Sequence, residues 1–414
     1  MQEIKAQDDD CAISYQELMM SEYSNNIGDK TEGSSNQNIV FIVGAFPPPV
    51  HGMAAVNAAV RARLIEAGAV LSVINVAAKN LERSLVVRLW RVQRVARGLS
   101  RLLFGARLRE ATLYMSVSGG VGQAYEILFL ILARLRRMRI YLHHHSFAYL
   151  DRTSWLTYVL TLVAGSDSVH ITLSSGMAVR LKSQYCSVCH VLPISNAVFF
   201  PGHRSSSVIL HTSLKTIGFI SNISEEKGIF DFLDLVEAYE AEGLLIKAKI
   251  AGPCQDEKTE YKLKKRIGKL NTVEYIGPQY GDDKEIFFNE IDVLIFPTQY
   301  VNEAEPLIIH EAMQYAIPVI AYGRGCIPEI VSPECGRVIE PALPFMPAAL
   351  TQLKQWLTSP NVYRMASNSA VEHFAIALEN NSRRWNELLK EMLGDDASDD
   401  SGTGSLLEDL PSRT

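Results

Sequence analysis

Six cysteines in 414 residues are too few for a disulfide-stapled scaffold, so the expected compartment is a reducing cytoplasm. No apolar run approaches the roughly 18 residues that a membrane-crossing helix needs; the longest spans residues 127–133. The first 37 residues are polar and acidic, which argues against a secretory signal. The 17 prolines and 26 glycines are ordinary amounts and exclude a collagen-like or low-complexity body. A Gly-Lys-Ser/Thr sequence is missing, which excludes a P-loop nucleotidase. Ser118-Gly119-Gly120-Val121-Gly122 precedes a helical pattern but lacks both the full GxGxxG and a downstream acid, so a dinucleotide cofactor is not expected.

What is present is ordinary globular material: 47% hydrophobic and 21% charged residues, enough for two cores, at a length that suggests two to three domains. The net charge of −6 hides a division along the chain. Residues 1–37 are acidic, residues 38–200 strongly basic, and residues 201–414 acidic again. A basic first half points to a polyanionic partner: a membrane surface, a nucleic acid or a phosphorylated substrate.

Short β-branched runs alternate with helical patterns throughout. In the second half, strand-like runs at 216–221, 247–252, 273–277, 293–297 and 318–322 are separated by helical patterns at 228–242, 257–268, 282–289 and 306–315. The first half repeats the scheme, with strands at 38–44, 70–76, 112–117, 139–144, 168–173 and 190–194 and helices at 52–66, 122–137 and 174–185. Such βαβ alternation predicts an α/β fold of two doubly wound, Rossmann-like domains with a ligand cleft between the carboxyl ends of their sheets. The expected division is a disordered leader at 1–37, an acceptor-side domain at 38–200, a linker at 201–207, a second domain at 208–393 whose last helix packs back on the first, and an acidic disordered tail at 394–414.

One constellation carries most of the chemistry. Asn302-Glu303-Ala304-Glu305-Pro306-Leu307-Ile308-Ile309-His310-Glu311-Ala312-Met313 follows a strand ending in Phe296-Pro297-Thr298 and opens a helix. A helix N-terminus offers free N–H groups and the positive end of a dipole, which suits a phosphate. Glu303 before the helix and Glu311 inside it are placed to accept hydroxyl hydrogen bonds. Earlier, Ser221-Asn222-Ile223-Ser224-Glu225-Glu226-Lys227-Gly228 links a strand to a helix and sets an ammonium beside the helix start.

The Glu303/Glu311 spacing, after a strand ending in proline and before Ala-Met, resembles the nucleotide-sugar motif of the retaining glycosyltransferases of family 4. The loop ending in Lys227-Gly228 resembles that family's first strand-to-helix loop in the donor domain. The segment from Phe41 to Gly52 is similar to its glycine-containing loop after the first strand, and Leu192-Pro193-Ile194-Ser195-Asn196, Tyr275-Ile276-Gly277-Pro278 and Gly325-Cys326-Ile327-Pro328-Glu329 match further loops in order. The resemblance covers about residues 38–390. It implies the GT-B fold and transfer of a sugar from a nucleotide-diphosphate donor, without metal or cofactor, to a glycan acceptor, plausibly lipid-linked, in cell-surface polysaccharide, lipopolysaccharide or glycolipid synthesis. It assigns His145, Lys227 and Glu303 to catalysis. It assigns Gly52, His144, Asn222, Arg324, Ala304, Glu305, Leu307 and Glu311 to substrate. Two positions depart from the family: Asn222 stands where many members have a diphosphate-binding arginine, with Arg324 as its candidate replacement, and Pro306 stands where many have glycine. The alternatives are a non-catalytic nucleotide-sugar-binding subunit, a membrane-surface adaptor, and a sugar-nucleotide epimerase on the same architecture.

Three further features weigh on function. In His143-His144-His145-Ser146, strand alternation lets only His143 and His145 share a face, which is weak support for a metal; the family has a histidine near the donor's anomeric centre, with His145 the first choice and His144 the second. Cys186-Ser187-Val188-Cys189-His190 spells a haem-attachment pattern, but its place at a strand start suggests buried structural cysteines. Residues 83–109 carry eight arginines interleaved with Leu85, Leu89, Val92, Ala96, Leu99 and Leu103 at helical spacing. Two readings stand: a helix on an anionic membrane face, peripheral to the cytoplasmic side, or a core-facing helix with a solvated arginine face. Nucleic acid is not expected, because stacking aromatics are not interleaved.

Overall fold

The computed structural model describes residues 39–48, 51–77, 85–104, 111–200, 212–244 and 246–394. The chain divides into two compact units; the boundary falls between Phe200 and Pro201, and the chain crosses back between Ile376 and Ala377. The expected leader, the linker at 201–207 and nearly all of the tail lie outside the described residues.

The N-terminal unit holds a six-stranded parallel sheet in the order β2-β1-β3-β4-β5-β6. Its strands are β1 (Ile39–Gly44), β2 (Val70–Asn75), β3 (Thr112–Val117), β4 (Arg139–His144), β5 (Val169–Thr172) and β6 (His190–Pro193). The connecting helices are α1 (Gly52–Glu66), α2 (Leu85–Phe104), α3 (Gln123–Leu135), α4 (Trp155–Ala164) and α5 (Ser175–Gln184). Every residue of β3 is buried, as a strand covered on both faces requires. Local chemistry sets the helix starts: His51, Ser154 and Ser174 each accept from a backbone N–H in the first turn of α1, α4 and α5.

The C-terminal unit repeats the plan with the order β12-β11-β10-β7-β8-β9. Its strands are β7 (Thr216–Ile220), β8 (Lys247–Ala251), β9 (Val273–Tyr275), β10 (Val293–Phe296), β11 (Val319–Tyr322) and β12 (Gly336–Ile339). Its helices are α6 (Ile229–Ala241), α7 (Glu257–Ile267), α8 (Gly281–Glu290), α9 (Leu307–Gln314) and α10 (Phe345–Thr358). Phe219, Phe232, Leu233, Val236, Ile250, Ile295 and Trp356 belong to one buried cluster. The winding direction reverses between β7 and β10, so the loops leaving those two strands diverge and open a crevice at the strand carboxyl ends.

A last helix, α11 (Pro360–Leu393), starts in this unit, where Tyr363 is buried. Its end belongs to the N-terminal unit. There Arg139 donates to the carbonyls of Glu391 and Met392 at 2.9 Å each, and the Tyr141 hydroxyl donates to the Glu391 carboxylate at 2.9 Å.

One sequence expectation is corrected and one open alternative is narrowed. Cys186 and Cys189 are exposed rather than buried, because β6 is the outermost strand of its sheet and pairs only with β5. The arginine-rich helix α2 turns Val95 and Leu102 inward, and its Gly98 backs onto Ile74 and the Phe129 ring. Of the stripe of apolar residues, Val92, Ala96 and Leu103 are exposed beside Arg97 and Arg101 and Leu99 is half-buried, so of the two readings these positions follow the one that does not face the core.

Candidate functional site

In the C-terminal unit, the loops leaving β7 and β10 line the two sides of that crevice and touch at Gly228 and Pro297. Gly228, with φ of 81°, caps the start of α6, and a Cβ there would sit 2.2 Å from the Pro297 carbonyl oxygen. Only glycine allows this approach, which brings the residue before it, Lys227, to the end of β10. The Lys227 ammonium lies 2.5 Å from Glu303 Oε2 and 4.7 Å from the centre of the Tyr300 ring. Thr298 Oγ1 donates to the same Glu303 oxygen at 3.0 Å. Both bonds fall on Oε2, so Oε1 keeps its capacity to accept from a ligand hydroxyl.

The chain then runs through buried Ala304 and Glu305 to Pro306, which has extended backbone and caps α9 without a side-chain hydrogen bond. Glu305 lies 3.1 Å from His310 Nε2, and both side chains are almost fully enclosed. The loop after β11 presses on this segment: Gly325 has φ of 59°, its Cβ position is 2.3 Å from the Ala304 carbonyl oxygen, and Cys326 N–H donates to that oxygen at 2.7 Å. Arg324 donates from Nε to the Tyr300 carbonyl at 3.1 Å and from its terminal nitrogen to the Val301 carbonyl. Its guanidinium thus ties down the loop carrying Glu303. Leu307 is half-buried at the first turn of α9, and Asn222 is exposed in the loop after β7.

Glu311 lies further along α9, away from Lys227 in the pattern of bonds. Both its oxygens accept from Lys284 of α8, at 2.6 and 2.7 Å. Lys284 and Tyr300 were not anticipated. Lys284 is 27 positions before Glu311 on a helix with no local motif, and no spacing rule joins the two.

The N-terminal unit presents its own group at the carboxyl end of β4. His143 and His145 lie on one face with ring centres 4.1 Å apart and planes tilted by 47°, and His144 turns to the other, as strand alternation dictates. Ser168 Oγ donates to the Gly165 carbonyl at 2.7 Å, so it must accept from His170 Nε2 at 3.1 Å. His170 Nδ1 then accepts from His144 Nε2 at 2.9 Å, and His144 Nδ1 accepts from the Tyr149 hydroxyl at 2.8 Å. One direction of donation fixes both tautomers. Burial holds His143 and His144 well below the usual histidine range and pushes His145 down to about 3, so all three are neutral at pH 7. His145 Nε2 is enclosed without a hydrogen-bond partner. Gly52 opens α1 next to His51, whose burial lowers its pKa too. Among the described residues, no cluster of three His, Cys, Asp or Glu could hold a metal.

Residues 203–373 match the family model described as Glycosyl transferases group 1, which covers the C-terminal unit and all of its site residues. No curated protein sequence matches the chain. Solved structures match over most of its length at low identity. HepE from Anabaena, in complex with UDP and glucose, superposes with a TM-score of 0.62 at 15% identity, over 86% of this chain and 100% of that one. Sucrose-phosphate synthase from Thermosynechococcus elongatus gives 0.64 at 14% identity, over 86% and 99%. The pneumococcal O-GlcNAc transferase GtfA, in complex with UDP and GlcNAc, gives 0.57 at 13% identity, over 73% and 60%. The fold is GT-B: two α/β domains, each with a six-stranded parallel sheet.

Proposed function

We propose that this protein is a retaining, metal-independent glycosyltransferase that moves a sugar from a nucleotide-diphosphate donor to a glycan acceptor, in cell-surface polysaccharide or glycolipid synthesis. The observation that carries the reading is the joining of Lys227 to Glu303 at the β7/β10 reversal, with α9 opening four residues later and Glu311 on its second turn. UDP is the nucleotide of first choice, because HepE and GtfA are similar in fold and were crystallised with it.

In this mechanism the backbone N–H groups around Ala304 and Glu305 and the Lys227 ammonium face the diphosphate. Negative charge grows on it as the glycosidic bond breaks, so groups already in place lower the barrier more than they tighten the ground state. Glu303 takes a sugar hydroxyl on Oε1 and Glu311 takes the ribose diol. The acceptor attacks from the face the diphosphate leaves, and a donor phosphate oxygen takes the acceptor's proton, so no side chain acts as a nucleophile. Neutral His145 contributes a hydrogen bond to the sugar. The acceptor is lipid-linked, and the N-terminal unit meets it at the anionic cytoplasmic face of the membrane; Val92, Ala96 and Leu103 exposed beside Arg97 and Arg101 support this.

The test is release of nucleoside diphosphate from UDP-, GDP- and ADP-sugars by purified protein. Wild type should turn over one of these donors, and Lys227→Ala should lower kcat by roughly a hundredfold or more while donor affinity falls far less. Turnover of the variant within about twofold of wild type would remove Lys227 from the reaction.

A further inference from the structure

We infer that the N-terminal unit seats on anionic phospholipid through the outer faces of α3 and α4, and that this surface, rather than the arginine-rich helix α2 alone, supplies the apolar insertion. The inference rests on the membrane partner proposed above and names the surface that meets it.

Right-handed crossovers from β2 to β3, β3 to β4 and β4 to β5 put α2, α3 and α4 side by side on one face of the sheet. Their contacts show the layer: Gly98 of α2 backs onto Phe129 of α3, and Thr157 of α4 donates to the Gln123 side chain of α3 at 2.9 Å in a buried hydrogen bond. A helix in such a layer normally turns polar residues outward. Here α3 exposes Leu128, Ile131 and Leu135, and α4 exposes Trp155, Tyr158 and Leu162; each set follows i, i+3, i+7 spacing, and the six side chains are 40–74% exposed. All ten residues of α4 are uncharged. On α3 the charged residues are Glu126, which is buried against Ser118, and Arg134 at the last turn. Two neighbouring helices whose outer faces are apolar apart from Arg134 make a patch of the kind that marks an interaction site.

The charges around the patch select the occupant. Arg134, Arg136, Arg137 and Arg152 border it. The nearby carboxylates are engaged, Asp167 with Arg134 at 2.6 Å and Asp151 with Arg180 at 3.7 Å. Arg136, Arg137 and Arg152 meet no carboxylate within salt-bridge distance among the described residues. A second copy of this chain docking face to face would set one positive rim against another. An anionic leaflet suits both parts: aliphatic side chains enter the acyl boundary, Trp155 and Tyr158 sit at the headgroup level, and the arginines stay with the phosphates. Trp155 opens α4 on the side of the sheet where β4 ends in His144, so an acceptor held in the leaflet lies near the strand ends that carry the histidines.

Flotation with vesicles of phosphatidylglycerol and phosphatidylcholine tests this. Wild type should float with these vesicles and much less with phosphatidylcholine alone. Trp155→Ser/Tyr158→Ser/Leu162→Ser should lower the bound fraction at least tenfold with α2 intact, while its melting temperature and its UDP affinity stay at wild-type values. Arg136→Gln/Arg137→Gln should bind more weakly than wild type at low salt and approach wild type as salt rises. Three results would overturn the inference: no flotation of wild type, equal flotation of the triple serine variant, or a wild-type dimer that this variant converts to monomer, which would assign the patch to a second copy. UDP titration of the same preparations separates the two claims, because a wild type that floats without binding nucleotide would contradict the proposed reaction and leave the surface in place.

Discussion

At the scale of single residues, the site depends on charges that already have partners. Lys227 and Glu303 neutralise each other, and Lys284 occupies both oxygens of Glu311. A half-buried carboxylate held at two points keeps its orientation, so in the proposed reaction Lys284 is a positioning residue for Glu311. Lys284→Met should therefore weaken nucleotide binding roughly fivefold, less than loss of the carboxylate itself, with little change in kcat. Calorimetric titration checks it, and a tighter complex in the variant would show that the ammonium blocks the carboxylate. Nothing in the local sequence points to this pair, because the two residues meet only through packing of α8 against the sheet. The placing of Glu303, Glu311 and Lys227 at the ends of β7 and β10 was legible because helix and loop spacing bring them there whatever the packing elsewhere.

At the scale of elements, the strands and the motif-bearing loops follow closely from the pattern. The strands at 112–117 and 139–144 stand where their β-branched and apolar runs place them. What the pattern left open or missed was sidedness. The stripe of α2 at 92, 96 and 103 has helical spacing, but periodicity says only that a face exists, not whether it points to the core or to solvent. The core side of α2 is instead fixed by Gly98, whose missing side chain lets the helix lie on Ile74 and Phe129. Cys189 lies just before a real strand, β6, but the order of strands that leaves it at the sheet edge is a tertiary fact. The loop after β11 offers a sharper test. Gly325 combines a left-handed backbone with a 2.3 Å approach to the Ala304 carbonyl oxygen, so Gly325→Ala strains its own backbone and pushes on the segment holding Glu303. Thermal or urea unfolding should show a loss of about 2 kcal/mol or more, with nucleotide affinity reduced in the protein that remains folded. A variant as stable as wild type would mean that the two loops are not in this contact.

At the scale of the molecule, the two units carry the same architecture but different acid sensitivity. The N-terminal unit buries His143, His144 and His170 and encloses the ring nitrogen of His145; burial depresses all four, His170 to about 4 and His145 to about 3. Above about pH 6.5 they are neutral whether folded or unfolded and contribute no pH dependence. As pH falls below that value the unfolded chain takes up protons that the folded unit refuses, and each histidine costs about 1.4 kcal/mol per pH unit until its folded pKa is reached. Glu126 opposes this, since burial raises its pKa to about 7 and its protonation favours the folded state, but it is one group against four. The N-terminal unit should thus lose stability steeply between about pH 6.5 and 4. Hydrogen exchange by mass spectrometry should show protection lost first in β4 and β5 and later in β7 and β10. Simultaneous loss across both sheets would contradict the assignment of these histidines as buried and neutral.

The central claim is that the C-terminal unit binds a nucleotide diphosphate with Glu311 on the ribose. Isothermal titration of UDP into wild type and Glu311→Ala tests it most directly. A charge-assisted hydrogen bond contributes about 1.5–3 kcal/mol, so the variant should bind roughly tenfold to a hundredfold more weakly. Equal affinity of the two proteins, or a wild type that binds neither UDP nor its GDP and ADP counterparts, would contradict the account.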